Sequence, residues 1–263
     1  MARPIVALLT DFGTHDHYAG TLKGVVLGIC PEATLVDITH DLPAHDVLTA
    51  ALELAASYRY FPSGTVFLVV VDPAVGSSRR AIGAEAGEHR FVAPDNGVLT
   101  AVFNEQAHKK VVELTERRYA RPTVSRTFEG RDRFAPAAGW LAKGLQLAAL
   151  GRPIADAHRL DIPEPVDEGH ELRGTVLRVD RFGNLVTNID RARLERLTRD
   201  GAIAVEIDGR EVTRLVATYA DIDAEEVCAL VGSTDHLEIA ASAASAAERL
   251  GMGRGAVVRI RRQ

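Results

Sequence analysis

Up to residue 150, apolar runs of strand length alternate with stretches of helical periodicity, and this alternation most constrains the fold. Residues 5–9 form a buried-strand run closed by Thr10-Asp11-Phe12-Gly13, a turn signal. Over 18–30, Leu22, Val25, Val26 and Ile29 recur at three- and four-residue spacing, which predicts a helix stopped by Pro31. Strands are expected at 34–38, 65–71, 81–86 and 91–93, and helices at 47–60, from Gly97, and over 136–150. The 65–71 run is β-branched almost throughout, as in a strand covered on both faces. Such alternation predicts an α/β domain with a mostly parallel, Rossmann-like sheet and helices on both faces.

The texture then changes. Pro153, Pro163 and Pro165 with several acids mark 153–173 as a linker between a first domain, 1–152, and a second, 174–263. Beyond it, strand-like runs at 175–179, 185–189, 202–207, 227–231, 237–240 and 256–260 are short and separated by turn residues. This spacing predicts a small antiparallel β-barrel. Asp208-Gly209 is a hairpin turn signal, and the alanine-rich 240–250 reads as one helix.

Composition removes several functions. The net charge of -5 lacks the basic stripe that phosphate backbones require, so nucleic acid is not expected as a partner. No run approaches the roughly 18 apolar residues of a membrane span. The start at Met1 carries no leader-like apolar stretch, and Cys30 and Cys228 form no CxxC or Cys/His cluster, which suits a cytoplasmic protein.

In an open parallel sheet, ligands bind beyond the carboxyl ends of the strands. Three polar loops leave such ends: 10–16, 72–80 and 93–97. Asp11, after the first strand, can accept hydrogen bonds from both hydroxyls of a ribose; it can equally cap a turn or helix. Asp72 closes the 65–71 run, so its carboxylate should be partly desolvated, with Arg79 or Arg80 near enough to keep it ionised. That pair could also merely brace the loop. Residues 127–134 are dense in charge and read as a solvated helix start with a capping Asp. No GxGxxG or GxxxxGK[ST] pattern favours a dinucleotide or nucleoside triphosphate, and no GxSxG elbow favours a serine hydrolase. His15, His17, His40 and His45, with Asp37, Asp41 and Asp46 among them, lack the spacing of a metal site, so none is expected.

Taken together, Leu9-Thr10-Asp11-Phe12-Gly13, the 18–24 stretch, Val36-Asp37-Ile38-Thr39-His40, Val71 to Gly76, Ala93 to Gly97, Phe128 to Pro136, Asp180 to Asn188, Gly232-Ser233 and Leu237 to Ala240 resemble the S-adenosylmethionine hydroxide adenosyltransferases, relatives of fluorinases and chlorinases. The match runs through both halves in order. The resemblance implies a Rossmann-like domain followed by a β-barrel, a homotrimer with sites at subunit interfaces, and hydrolysis of S-adenosyl-L-methionine to adenosine and methionine without metal or cofactor.

By that likeness Asp11 would hold the ribose hydroxyls, Asp180 the methionine ammonium, and Asn184 and Ser233 adenine or the amino-acid end. Tyr18, His45, Phe128 and Glu238 would complete the substrate contacts. Asp72 and Arg79 match two members of the hydrolases' Asp-Arg-His set; the third position, a histidine before Gly-Arg-Asp in the family, is Glu129 here. Halogenating relatives carry a tyrosine where Asp72 stands, and a carboxylate would repel a halide, which favours water as nucleophile. A second departure is Ala241-Ser242, where relatives carry a longer polar side chain near the methionine end. Two other readings stay open: a protein that binds S-adenosylmethionine or adenosine without turnover, and a halide-using adenosyl transferase.

Overall fold

The computed structural model describes residues 3–199 and 201–263. Met1 and Ala2, where the leader-free start was read, lie outside them. The described chain divides into two compact units between Asp161 and Ile162.

The first unit contains strands β1 (Ile5–Thr10), β2 (Thr34–Thr39), β3 (Val66–Val70), β4 (Ala81–Ala86), β5 (His89–Pro94), β6 (Lys109–Leu114) and β7 (Gly151–Pro153). Helices α1 (Tyr18–Ile29), α2 (Val47–Ser57), α3 (Thr100–Glu105) and α4 (Ala135–Ala142) connect them. The seven-stranded sheet has the order β2-β1-β3-β5-β4-β6-β7. β2, β1, β3 and β5 run parallel, and β4, β6 and β7 add antiparallel pairs at one side.

Strand alternation assigns each apolar residue to a face. Ala7, Leu9, Phe67 and Val69 join Ala50 and Leu54 of α2 and Phe103 of α3 on one side. Val6, Leu8, Leu68 and Val70 join Leu22 and Val26 of α1 and Ala138 and Leu141 of α4 on the other. The apolar runs of β1 and β3 are therefore buried twice over, as their composition requires. Because the strands are parallel, the loops after β1, β2, β3 and β5 leave the same edge, and that edge carries the candidate chemistry.

Two expectations change in this unit. The helix expected over 136–150 ends at Ala142; Gly144 takes φ +100°, and Leu147–Leu150 forms only a short 3-10 turn. The charged stretch at 127–134 is no solvated helix start. Gly130–Phe134 winds as a π-helical turn leading into α4, and Asp132 is 0% exposed.

The second unit contains β8 (Val166–Asp167), β9 (Glu171–Val179), β10 (Leu185–Asp190), α5 (Arg191–Thr198), β11 (Ile203–Ile207), β12 (Arg210–Val212), β13 (Val227–Val231), β14 (His236–Ala241), α6 (Ala246–Leu250) and β15 (Val257–Arg262). Its strands form one antiparallel sheet in the order β12-β11-β15-β9-β10-β14-β13, with β8 added to β9. The sheet curls into a nearly closed barrel filled by Leu172, Leu185, Ile189, Val205, Leu237, Ile239, Val258 and Ile260. Leu215 bridges Ala229 of β13, bringing the chain after β12 back towards the far edge. Asp208 (φ 43°) and Gly209 (φ 81°) make the expected hairpin turn between β11 and β12.

The helix expected over 240–250 is confined to Ala246–Leu250. Ala240 and Ala241 instead pair with Cys228 and Val227, because ladder bonds and burial outweigh alanine's helical preference. Among the described residues no helix is long and apolar enough to cross a membrane.

Candidate active site

In the first unit, Asp72 follows the buried end of β3, and Asn96 Nδ2 donates to the Val71 carbonyl at 2.8 Å, fixing where the strand stops. The loop then doubles back through Gly76, which has φ +78° and lies so close to the Arg126 carbonyl that any Cβ would collide with it. That turn returns Arg79 to Asp72: Nε donates to Oδ1 at 2.9 Å and Nη2 pairs with Oδ2. Glu129 Oε2 lies 2.7 Å from Nη1 of the same guanidinium. The side chains of Arg79, Asp72 and Glu129 are 8%, 6% and 11% exposed. Burial alone would lower the arginine's pKa, but the two carboxylates outweigh it and push it above its ordinary value. Formal charge counting leaves two carboxylates against one cation, a group suited to attract positive charge, to accept a proton, and to repel an anion.

Of the two guanidinium candidates, Arg79 alone serves Asp72. Arg80 turns to Asp95 at 2.7 Å and Asp156 at 2.7 Å. The loop after β5 is likewise absorbed in structure: Asp95 accepts from the His158 amide and Asn96 braces β3. Asp132 anchors the Glu129 segment from behind. Its carboxylate accepts two bonds from Arg131 at 2.7 Å and one from the Ser125 amide at 2.8 Å.

Phe128 joins this group to the loop after β1. Its ring packs edge-on against Tyr18 at 5.0 Å and Phe12 at 6.1 Å, while the Arg131 guanidinium lies over it at 5.2 Å. Asp11 is half-buried on that loop, and its Oδ2 accepts the His45 amide at 2.8 Å. His45 thus reaches Asp11 through its backbone, with φ 69°, an uncommon conformation for a non-glycine residue, and its side chain is exposed. Asp72, Arg79, Glu129, Asp11, Tyr18, Phe128 and His45 all belong to this strand-end edge. Among the described residues no group of three or more His, Cys, Asp or Glu side chains is disposed to hold a metal ion.

In the second unit, Asp180 organises the turn between β9 and β10. Its Oδ1 accepts the amides of Phe182 and Asn184 at 2.9 Å each, and its Oδ2 accepts Asn184 Nδ2 at 2.8 Å. Gly183, at φ +85°, packs so tightly on Ser245 that no side chain fits. The Phe182 ring at the tip is 76% exposed, a flat apolar surface beside polar groups. Glu238 on β14 is 5% exposed; burial raises its pKa above the usual carboxylate range, with nearby Asp180 adding to the effect. Tyr219 donates its hydroxyl to Glu238 at 3.2 Å, and burial with that carboxylate pushes its own pKa up to about 12. Ser233 lies exposed in the tight turn between β13 and β14, where Asp235 N donates to the Gly232 carbonyl at 3.0 Å. Tyr219 is the participant that sequence reasoning missed, since it lies in a stretch without a motif.

Comparison with known proteins agrees with both units. Residues 6–151 match the model of the SAM hydroxide adenosyltransferase N-terminal domain, and residues 174–259 that of the C-terminal domain. A protein of Thermus thermophilus named (R)-S-adenosyl-L-methionine hydrolase is 36% identical over 98% of this chain and 99% of its own. A fluorinase of Nocardia brasiliensis is 31% identical over 98% of this chain and 97% of its own. The crystal structure of an uncharacterized conserved protein from Thermotoga maritima superposes with a TM-score of 0.92 at 36% identity, covering 98% of this chain and all of that one. With a match in both units, in order and over nearly the full length, the chain belongs to the SAM hydroxide adenosyltransferase family.

Proposed function

We propose that this protein hydrolyses S-adenosyl-L-methionine to adenosine and L-methionine. Water or hydroxide attacks C5′ of the ribose, and the C5′–sulfur bond breaks with its electron pair passing to sulfur. The sulfonium leaves as a neutral thioether, so little leaving-group activation is needed. The enzyme's main work is to align the nucleophile with C5′ and sulfur and to take up its proton.

The observation that carries the reading is the buried Asp72-Arg79-Glu129 group. Arg79 engages both oxygens of Asp72, and Glu129 Oε2 is the buried oxygen that lies 2.7 Å from its Nη1. Glu129 Oε1 is therefore our choice of proton acceptor, with Asp72 orienting the guanidinium and the water. Two carboxylates at this point would disfavour a halide, which supports water over chloride or fluoride.

The remaining assignments follow the family likeness. Asp11 holds the ribose hydroxyls, helped by the His45 amide; Tyr18 and Phe128 wall the substrate. Asp180 takes the methionine ammonium, Asn184 and Ser233 contact adenine or the amino-acid end, and Glu238 supports that end from the face of β14 opposite the barrel core, where Tyr219 meets it. We further propose that the reaction needs no metal or cofactor, that the chain works as a homotrimer, and that it acts in the cytoplasm. A reducing compartment suits the free, buried Cys30 and Cys228 thiols. Dialysis against a chelator is expected to leave the rate within about twofold, and light scattering to give three times the chain mass.

The decisive experiment incubates pure protein with S-adenosylmethionine in 18O-water, with and without chloride, and analyses products by mass spectrometry. Labelled adenosine with methionine supports hydrolysis. A 5′-chloro nucleoside that depends on chloride would mean a halide transferase, and intact substrate with measurable binding would mean a non-catalytic binder.

A further inference from the structure

The Val36 to His40 stretch helped to mark the family, yet the proposed reaction gives it no role. Thr10 ends β1 and His40 follows β2; they are 0% and 5% exposed. His40 Nδ1 lies 2.7 Å from Thr10 Oγ1, and its Nε2 lies 3.1 Å from Asp37 Oδ1. Asp37 in turn accepts a bond from Lys23 Nζ of α1 at 2.6 Å. Partial burial works against the charge of Asp37, but Lys23 and His40 outweigh it and hold the pKa below the usual carboxylate value.

The neutral tautomer with its proton on Nε2, facing the Asp37 carboxylate, is the one that the charge contact favours. Nδ1 is then an acceptor, so the Thr10 hydroxyl donates to it. The hydroxyl oxygen is left to accept the Phe12 amide at 3.3 Å. His40 also takes the Gly13 amide on its backbone carbonyl at 2.7 Å. Lys23 and Asp37 thus face His40 through a charge contact at Nε2, and hydrogen bonds carry on from His40 through Thr10 to Phe12, and from the His40 carbonyl to Gly13. Phe12 and Gly13 are the two residues that follow Asp11.

We infer that His40, oriented by Asp37 and acting through Thr10, is a positioning residue that presets the Asp11 carboxylate for the vicinal hydroxyls of a ribose. The inference rests on the reading of Asp11 as the ribose holder. Presetting the turn spares the ligand the ordering of that loop, so its loss weakens ligands in proportion to their use of Asp11. A structural peg behaves differently: its loss lowers stability and weakens every ligand alike.

The test uses the full chain and calorimetric binding of adenosine and of 2′,3′-dideoxyadenosine, the latter by displacement. Thr10→Val keeps the shape of the side chain and removes the hydroxyl; Thr10→Ser restores it; Asp11→Asn is the reference. Thr10→Val is expected to weaken adenosine about tenfold and dideoxyadenosine less than twofold, with Thr10→Ser close to the parent. In turnover of S-adenosylmethionine, Thr10→Val should raise KM while kcat stays within about threefold. Equal losses for both ligands, or no loss in a Thr10→Val protein with an unchanged melting curve, would overturn the inference while leaving Asp11 its role. If Asp11→Asn keeps the full preference for adenosine over its dideoxy analogue, the ribose reading itself falls, and this inference with it. Should Thr10→Val fail to fold, His40→Leu offers the same comparison, because it fills much of the ring's space and leaves the Thr10 hydroxyl without its imidazole acceptor.

Discussion

Glu129 occupies the position where the family resemblance leads one to expect a histidine, and Arg79 supplies the cation that lets a carboxylate stay there. One guanidinium with three nitrogens in contact can serve Asp72 bidentately and still reach Glu129, a fork geometry that lysine could not reproduce. Asp72→Asn keeps the shape but removes the charge that orients Arg79, so kcat is expected to fall on the order of 10²–10⁴-fold. Adenosine affinity should stay within about threefold, as read by calorimetry on the same protein; a parallel loss of binding would make Asp72 a ligand holder. Glu129→Gln should lower kcat by about 10²-fold or more if Glu129 accepts the proton, and a rate near the parent's would move that role to Asp72. Asp72 and Arg79 were legible in sequence because a polar loop follows a doubly buried strand. Spacing alone left Arg79 and Arg80 open and only the family resemblance pointed to Arg79; in the structure the loop that turns at Gly76 brings Arg79 to Asp72 while Arg80 pairs with Asp95.

At the scale of elements, periodicity located β1, α1 and β3 because their apolar residues serve packed surfaces directly. It failed where tertiary pairing overrode local preference. The alanines after Ile239 joined a strand, and α5 formed from a charge-rich segment with only Leu194 and Leu197 buried. That short helix depends on its cap: Asp190 accepts the Arg193 amide at 2.7 Å and also pairs with the Arg193 guanidinium. Asp190→Ala should therefore cost about 1 kcal/mol of stability in urea titrations. By contrast, Leu22 of α1 is fully buried against β1 and β3, and Leu22→Ala should cost about 2–5 kcal/mol by the same measurement.

For the whole molecule, each unit has its own core, so residues 162–263 expressed alone are expected to unfold cooperatively on heating, followed by circular dichroism. Acid should destabilise both units through particular carboxylates. Burial would raise the pKa of Asp132, but Arg131, the Ser125 amide and Arg121 outweigh it and hold it below the ordinary value; the Arg193 contacts do the same for Asp190. A depressed folded pKa means that the contribution is complete above the unfolded value, near about 3.9, and is lost as pH falls through the lower folded value. Urea midpoints should hold between pH 7 and 5 and fall towards pH 3, and Asp132→Asn should flatten that fall. What the sequence determined alone was whatever depends on local pattern: a parallel-sheet domain before a short-stranded one, polar loops at strand ends, and a motif series specific enough to name the family. Tertiary structure alone decided which side chains meet, because Arg79 and Glu129, or Thr10 and His40, are far apart in the chain and become partners only when the strands deliver their loops to one edge. Periodicity carries the face on which a residue lies, but not the distance between two loops.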